Sequence, residues 1–252
     1  MGKNHLIYDA ISQGDYKTVE KLLIYLNFQW ANQDYLEERD NSERTPFLCA
    51  AVHGETQILA LLKRLNADDS AVDNYERSAV HLAAKENHVD SLRYLLDIGL
   101  SAIAEDNFGR QPHHLAAYNN ADDTLNELLE LEIVELDARD NWLRTPLHLA
   151  AKENCCDALE TLIDYGANIY ARDNYGRQVQ HLAAMTGADE CLKFLFSLER
   201  PKVRLNARDS WNRTPLHLAF LHGQEDTQRL LLALGADPNV TDIRGDTPES
   251  LA

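Results

Sequence analysis

An aspartate returns along this chain at nearly constant intervals: Asp40, Asp73, Asp106, Asp140, Asp173, Asp209 and Asp242 stand 33, 33, 34, 33, 36 and 33 residues apart. Each opens a related block, reading DNSERTPFLCAA, DNYERSAVHLAA, DNFGRQPHHLAA, DNWLRTPLHLAA, DNYGRQVQHLAA, DSWNRTPLHLAF and DIRGDTPESLA. A period in this range means stacked units, each too small to enclose a core alone and each burying its flanks against its neighbours.

The physics of one unit is legible in RTPLHLAAKENCCDALETLIDYGA. Thr145 stands where a side-chain oxygen caps a helix and Pro146 fits the first helical position. Leu147, Leu149, Ala150 and Ala151 then make a narrow apolar face, whose alanines let neighbouring helices approach closely. Ala158, Leu159, Leu162 and Ile163 recur at helical spacing and predict a second helix, which Gly166 ends in a left-handed conformation. Two such helices cannot hide their apolar flanks except on the next pair, so the core runs on from unit to unit.

The TPLHLAA helix start at 145–151, its counterpart at 214–219 and the GANIYA loop at 166–171 resemble the ankyrin-repeat family, from about residue 4 to the end. The resemblance implies an all-α repeat solenoid of helix-turn-helix units joined by β-hairpin loops. It predicts an N-terminal capping repeat with an extended connection over 4–39, and six repeats over 40–72, 73–105, 106–139, 140–172, 173–208 and 209–241. A partial C-terminal repeat follows over 242–252. The last unit has only its first helix, so that end either frays or continues in a longer chain. In the cap, Leu6, Ile7, Ala10 and Ile11 predict one helix and Val19, Leu22 and Leu23 another. The connection LNFQWANQDYLEER at 26–39 either extends the second helix or folds over the end of the stack. RPKVR at 200–204 carries the extra residues of the 173–208 repeat, and Pro201 predicts a loop insertion there.

Charge narrows the function classes. With 24 Lys+Arg against 41 Asp+Glu, the formal charge of −17 repels phosphate backbones and anionic lipid surfaces at long range, so neither nucleic acid nor membrane is the expected partner. Cys49, Cys155, Cys156 and Cys191 show neither CxxC nor disulfide-framework spacing, which predicts a reducing, cytoplasmic setting. Cys155 and Cys156 read as a pair of packing residues. No apolar run reaches the ~20 residues that span a bilayer. The chain holds no GxxxxGK[ST], GxSxG, HExxH or EF-hand run, so no catalytic role and no cofactor are expected.

In the family, hairpin tips and the exposed face of the first helix contact partners. Mapped here, the third block position is an aromatic column of Tyr75, Phe108, Trp142, Tyr175 and Trp211. Two roles are open for it: anchoring a partner, or stacking on the adjacent hairpin. Two places on stand Arg77, Arg110, Arg144, Arg177 and Arg213, after Arg44 in the first block, with Arg139, Arg172 and Arg208 just before the aspartates. Paired with Asp140, Asp173 and Asp209 they would form a solvated salt-bridge ladder; left unpaired, they would suit an acidic segment of a partner. On the first helix, Lys85, Tyr118, Lys152 and Met185 extend the candidate face.

His81, His114, His148, His181 and His217 recur once per unit. Steps of ~10 Å cannot converge on one metal ion. The resemblance gives these histidines a hydrogen-bonding role between neighbouring helix starts, which Leu48 interrupts. It also makes Asn206 and Asn239 candidates for asparagine hydroxylation. The expected function is a scaffold or adaptor for a protein partner. The alternatives are an acidic inhibitor that masks a basic surface of a transcription factor or enzyme, or the targeting domain of a larger enzyme or bacterial effector.

Overall fold

The computed structural model describes residues 4–29, 34–199 and 202–252. Over these residues the chain forms α-helices and short 3-10 turns, with no strand. It divides into two compact units, Met1–Ala116 with Asp123–Val134, and Ala117–Asp122 with Glu135–Ala252.

In the first unit, α1 (Asn4–Ser12), α3 (Pro46–His53) and α5 (Ala79–Lys85) pack in succession as one layer. Helices α2 (Tyr16–Gln29), α4 (Thr56–Arg64) and α6 (Val89–Asp97) form the layer behind it. Helices α7 (Pro112–Tyr118) and α8 (Asp122–Leu129) follow. In the second unit, α9 (Pro146–Lys152), α11 (Val179–Thr186) and α13 (Pro215–Leu221) make the first layer. The second layer is α10 (Cys156–Asp164), α12 (Asp189–Ser197) and α14 (Glu225–Ala233). The alanine pairs Ala83/Ala84, Ala150/Ala151 and Ala183/Ala184 are wholly buried, which is the packing consequence of small side chains where helix meets helix.

The first helices start alike. Thr145 and Thr214 stand in extended backbone at the N-cap, and Pro146 and Pro215 follow. Each threonine oxygen accepts the backbone N–H of the histidine three residues on, while that imidazole accepts the N–H of the cap residue. This is a capping box in which histidine fills the place of glutamate or glutamine. Ser78 and Gln178 cap α5 and α11 in the same way. In the 40–72 repeat, where Leu48 replaces the histidine, only the Thr45 hydroxyl caps, accepting Leu48 N–H at 3.3 Å. Gly166 turns the chain out of α10 at φ 92°, as its place in the sequence predicts.

The loops between repeats are tight hairpins without a strand ladder, a three-residue turn that ends on a residue at positive φ, as at Gly176 (φ 71°). Each is a tight turn closed by the aspartate's own backbone, as in Asp173 N–H to Arg177 O at 3.0 Å and Gly176 N–H to Asp173 O at 2.9 Å. Of the 26–39 connection, α2 runs to Gln29, residues 30–33 lie outside the described residues, and a 3-10 turn at Asp34–Leu36 buries Tyr35 and Leu36. Arg200 and Pro201 of the second insertion also lie outside them. Val203, within that insertion, is buried.

Candidate functional site

The tip of every hairpin is organised by its aspartate. Asp173 Oδ1 accepts the N–H groups of Tyr175 and Arg177 at 2.9 Å each, while Oδ2 takes Arg177 Nε at 2.8 Å and Nη2 at 2.7 Å. Asp73, Asp106, Asp140 and Asp209 hold their turns and arginines identically. The result corrects the expectation of a solvated salt-bridge ladder. These five carboxylates are fully buried and their arginine side chains are 15–19% exposed. A buried carboxylate whose Oδ2 takes both Nε and Nη2 while its Oδ1 takes two backbone N–H groups specifies one geometry for the guanidinium.

That geometry lays each arginine over the aromatic ring two residues before it. The guanidinium carbon is 4.9 Å from the ring centre at Tyr75, 4.6 Å at Phe108, Trp142 and Tyr175, and 4.4 Å at Trp211. Each ring is thus held by a cation that is itself held by a buried anion. In the first unit, Tyr75 and Phe108 meet at 6.1 Å between centroids; in the second, Tyr175 and Trp211 stack at 5.6 Å. Stacking leaves ring surface open: Tyr75 is 43% exposed, Tyr175 39% and Trp211 37%.

Arginines ahead of the aspartates do something else. Arg139 Nη1 reaches Arg172 O at 2.9 Å, and Arg172 Nη1 reaches Arg208 O at 2.9 Å and the Gly176 carbonyl, so they staple successive turns through backbone oxygen. Backbone bonds continue the staple within the second unit, from Asn174 N–H to Trp142 O, Ser210 N–H to Tyr175 O and Ile243 N–H to Trp211 O.

In the second unit the hairpins meet the first helices. Arg177 Nη1 lies 3.4 Å from Met185 Sδ, and Lys152 Nζ lies 5.8 Å from the Tyr118 ring centre and 2.5 Å from Glu153. Tyr118, Lys152 and Met185 are half-buried. In the first unit, Lys85 pairs with Glu86.

Behind this face the histidines link repeats. His81 Nε2 donates to Arg110 O at 2.9 Å, His148 to Arg177 O at 3.2 Å and His217 to Asp246 O at 3.2 Å. Their Nδ1 atoms accept the cap N–H, which fixes the proton on Nε2. His181, in the repeat with the insertion, donates to Ala207 O at 3.0 Å, with the Arg213 backbone also beside its ring. Burial lowers the pKa of all four, that of His181 to about 4. Cys155 and Cys156 do not face each other: Cys155 Sγ donates to Tyr118 O, and Cys156 Sγ sits 2.9 Å from Cys191 Sγ across the repeat. Burial pushes the Cys49 and Cys155 thiols up to about 11. Among the described residues no group of three or more His, Cys, Asp or Glu side chains could hold a metal ion. No helix there is long and apolar enough to cross a membrane.

A family model for ankyrin repeats (3 copies) matches residues 6–106, 99–173 and 170–242. The chain belongs to the ankyrin-repeat family. The human ASB11 ankyrin repeat domain is similar in structure, with a TM-score of 0.69 and 23% identity over 83% of this chain and 92% of that one. No curated protein matches the sequence. Ankyrin repeats generally serve as protein–protein interaction modules.

Set against other ankyrin units, the cap carries a substitution that sequence reading missed. Aligning Ala10 and Ile11 with Ala150 and Ala151 puts Tyr8 where later repeats have histidine. The Tyr8 hydroxyl shares its one proton between Glu38 O at 2.7 Å and Arg44 O at 3.0 Å, the latter the place in its turn that Arg110 O has for His81. Also missed were the asparagines ending the inter-helix turns. Asn120 (φ 56°) and Asn154 (φ 57°) use Oδ1 to accept the N–H of Ala158 and Cys191 in the next repeat's second helix.

Proposed function

We propose that this chain is a scaffold or adaptor that grips a protein partner with its hairpin tips and the exposed sides of its first helices. Tyr75, Phe108, Trp142, Tyr175 and Trp211 are the anchors, and Lys85, Tyr118, Lys152 and Met185 supply mixed chemistry beside them. The observation that carries this reading is the repeated set of buried aspartate, arginine held on it through Nε and Nη2, and overlaid ring. A ring held in place loses little rotamer freedom on binding, and an exposed aromatic that stays put is an interface anchor by design. In this reading Arg77, Arg110, Arg144, Arg177 and Arg213 position the rings. Their Nε and Nη2 edge, the one suited to a bidentate carboxylate, is already engaged. The role needs no catalysis. A reducing cytoplasm suits the four cysteines, which are free thiols.

The test is selection of dodecapeptides from a display library on the full chain, followed by affinity measurements on Trp142→Ala and Tyr175→Ala. Each substitution should weaken selected binders by about tenfold or more. The same affinity in both variants would remove the aromatic column from the mechanism.

A further inference from the structure

The repeat that carries the insertion also breaks the sequence pattern at its core. Gln178 stands at the cap where neighbours have threonine, and Gln180 at the position of Leu147 and Leu216. Both are buried and bonded to each other, Gln180 Nε2 to Gln178 Oε1 at 3.1 Å. Gln178 Nε2 then holds Tyr170 O at 3.2 Å and Gln180 Nε2 holds Arg204 O at 3.2 Å. A buried amide pair in place of Thr and Leu gives up apolar packing. What it secures is the backbone of Tyr170 and Arg204.

Those two residues line two adjoining open clefts. One, about 700 Å³, is edged by Arg172, Arg204, Arg208 and Asn206. The other, about 580 Å³, is lined by Phe196, Leu198, Leu205 and Leu234, with Lys202 at its edge. Tyr170 stands in both and is pinned by its hydroxyl on Lys202 O at 3.1 Å. Neither lining contains an Asp or Glu, in a chain with 41 acids to 24 bases. Arg204 and Arg208 are exposed, and among the described residues neither forms an ion pair, unlike Arg177 and Arg213 on either side.

We propose that the paired clefts dock a peptide segment of a partner protein in which a carboxylate side chain neighbours a bulky apolar one. The carboxylate meets Arg204 and Arg208, and the apolar group enters the cleft of Phe196, Leu205 and Leu234. The two chemistries lie side by side because Tyr170 and Arg204 line both clefts. An acidic–apolar peptide fits better than a polynucleotide, whose many charges meet the −17 of the whole chain, whereas one or two carboxylates gain the local field at little long-range cost. This site rests on the chain being a protein-interaction module, and it moves the acidic-partner expectation from the aspartate-bound arginine column to arginines that are open.

The same display selection tests it, read on Arg204→Glu/Arg208→Glu and Leu234→Ser, with circular dichroism melts to verify folding. These side chains are exposed, so the fold should persist, and the milder Arg204→Gln/Arg208→Gln gives a second measurement. We expect a peptide class with Asp or Glu next to Leu, Phe or Trp, losing at least tenfold in affinity in the charge-reversed variant and several-fold in Leu234→Ser. That class should still bind Trp142→Ala. Selected peptides that lack acids, or that bind the reversed variant as well as the wild type, overturn this site. If Tyr175→Ala still weakens those peptides, the broader module reading survives. Binding to phosphatidylserine vesicles that depends on Arg204 and Arg208, with no dependence for peptides, overturns it in favour of a lipid surface. A selection that yields no binder overturns both readings.

Discussion

His181 shows how one side chain joins two repeats and makes their junction sensitive to acid. Its Nδ1 accepts the Gln178 N–H and its Nε2 donates to Ala207 O, so the neutral ring fits and the imidazolium does not. The folded pKa is held near 4 by burial, against an ordinary value of about 6.5 when unfolded. Between those values the unfolded chain binds the additional proton and the native chain does not. Stability is therefore complete above pH 6.5 and falls as pH drops toward 4. His81, His148 and His217 are shifted in the same direction and add to the effect. The urea midpoint should be lower at pH 5 than at pH 7, and His181→Gln should flatten that dependence while lowering the midpoint at pH 7. Equal midpoints at both pH values in the wild type would contradict the account. The histidines were legible in the sequence because they recur. Tyr8 was not, because a phenol reaching the same kind of carbonyl shares no letter with the residues it replaces.

Among the elements, packing between first helices fixes how closely repeats approach. Ala183 on α11 is wholly buried, and α11 packs against both α9 and α13. Ala183→Leu forces larger side-chain volume into an already close-packed contact, which costs about 1–3 kcal/mol. Urea unfolding should show that loss, and an unchanged midpoint would mean the helices are looser than the burial indicates. Helix starts were readable from Thr-Pro and Leu-His-Leu-Ala because those signals are local. The bonds joining units were not, since Asn120 to Ala158 or Arg139 to Arg172 O spans more than thirty residues and leaves no local trace. The arginine column was read as a pattern, yet its burial on aspartate was not. Only the folded turn brings Oδ2 to Nε and takes both out of water.

For the molecule as a whole, the period of the aspartates carried the fold and the excess of acids argued against generic polyanion binding. Where a partner sits is a separate matter, since it depends on which exposed groups are held rigid. The most direct measurement is covalent carbene footprinting of the full chain with and without a selected binder. Protection should fall on the hairpin tips around Tyr75, Phe108, Trp142, Tyr175 and Trp211, on the adjoining first-helix residues Lys85, Tyr118, Lys152 and Met185, and around Tyr170 and Arg204. Protection concentrated instead on exposed second-helix residues such as Arg93, Glu160 and Lys193, with the aromatic tips labelled as before, would contradict the account.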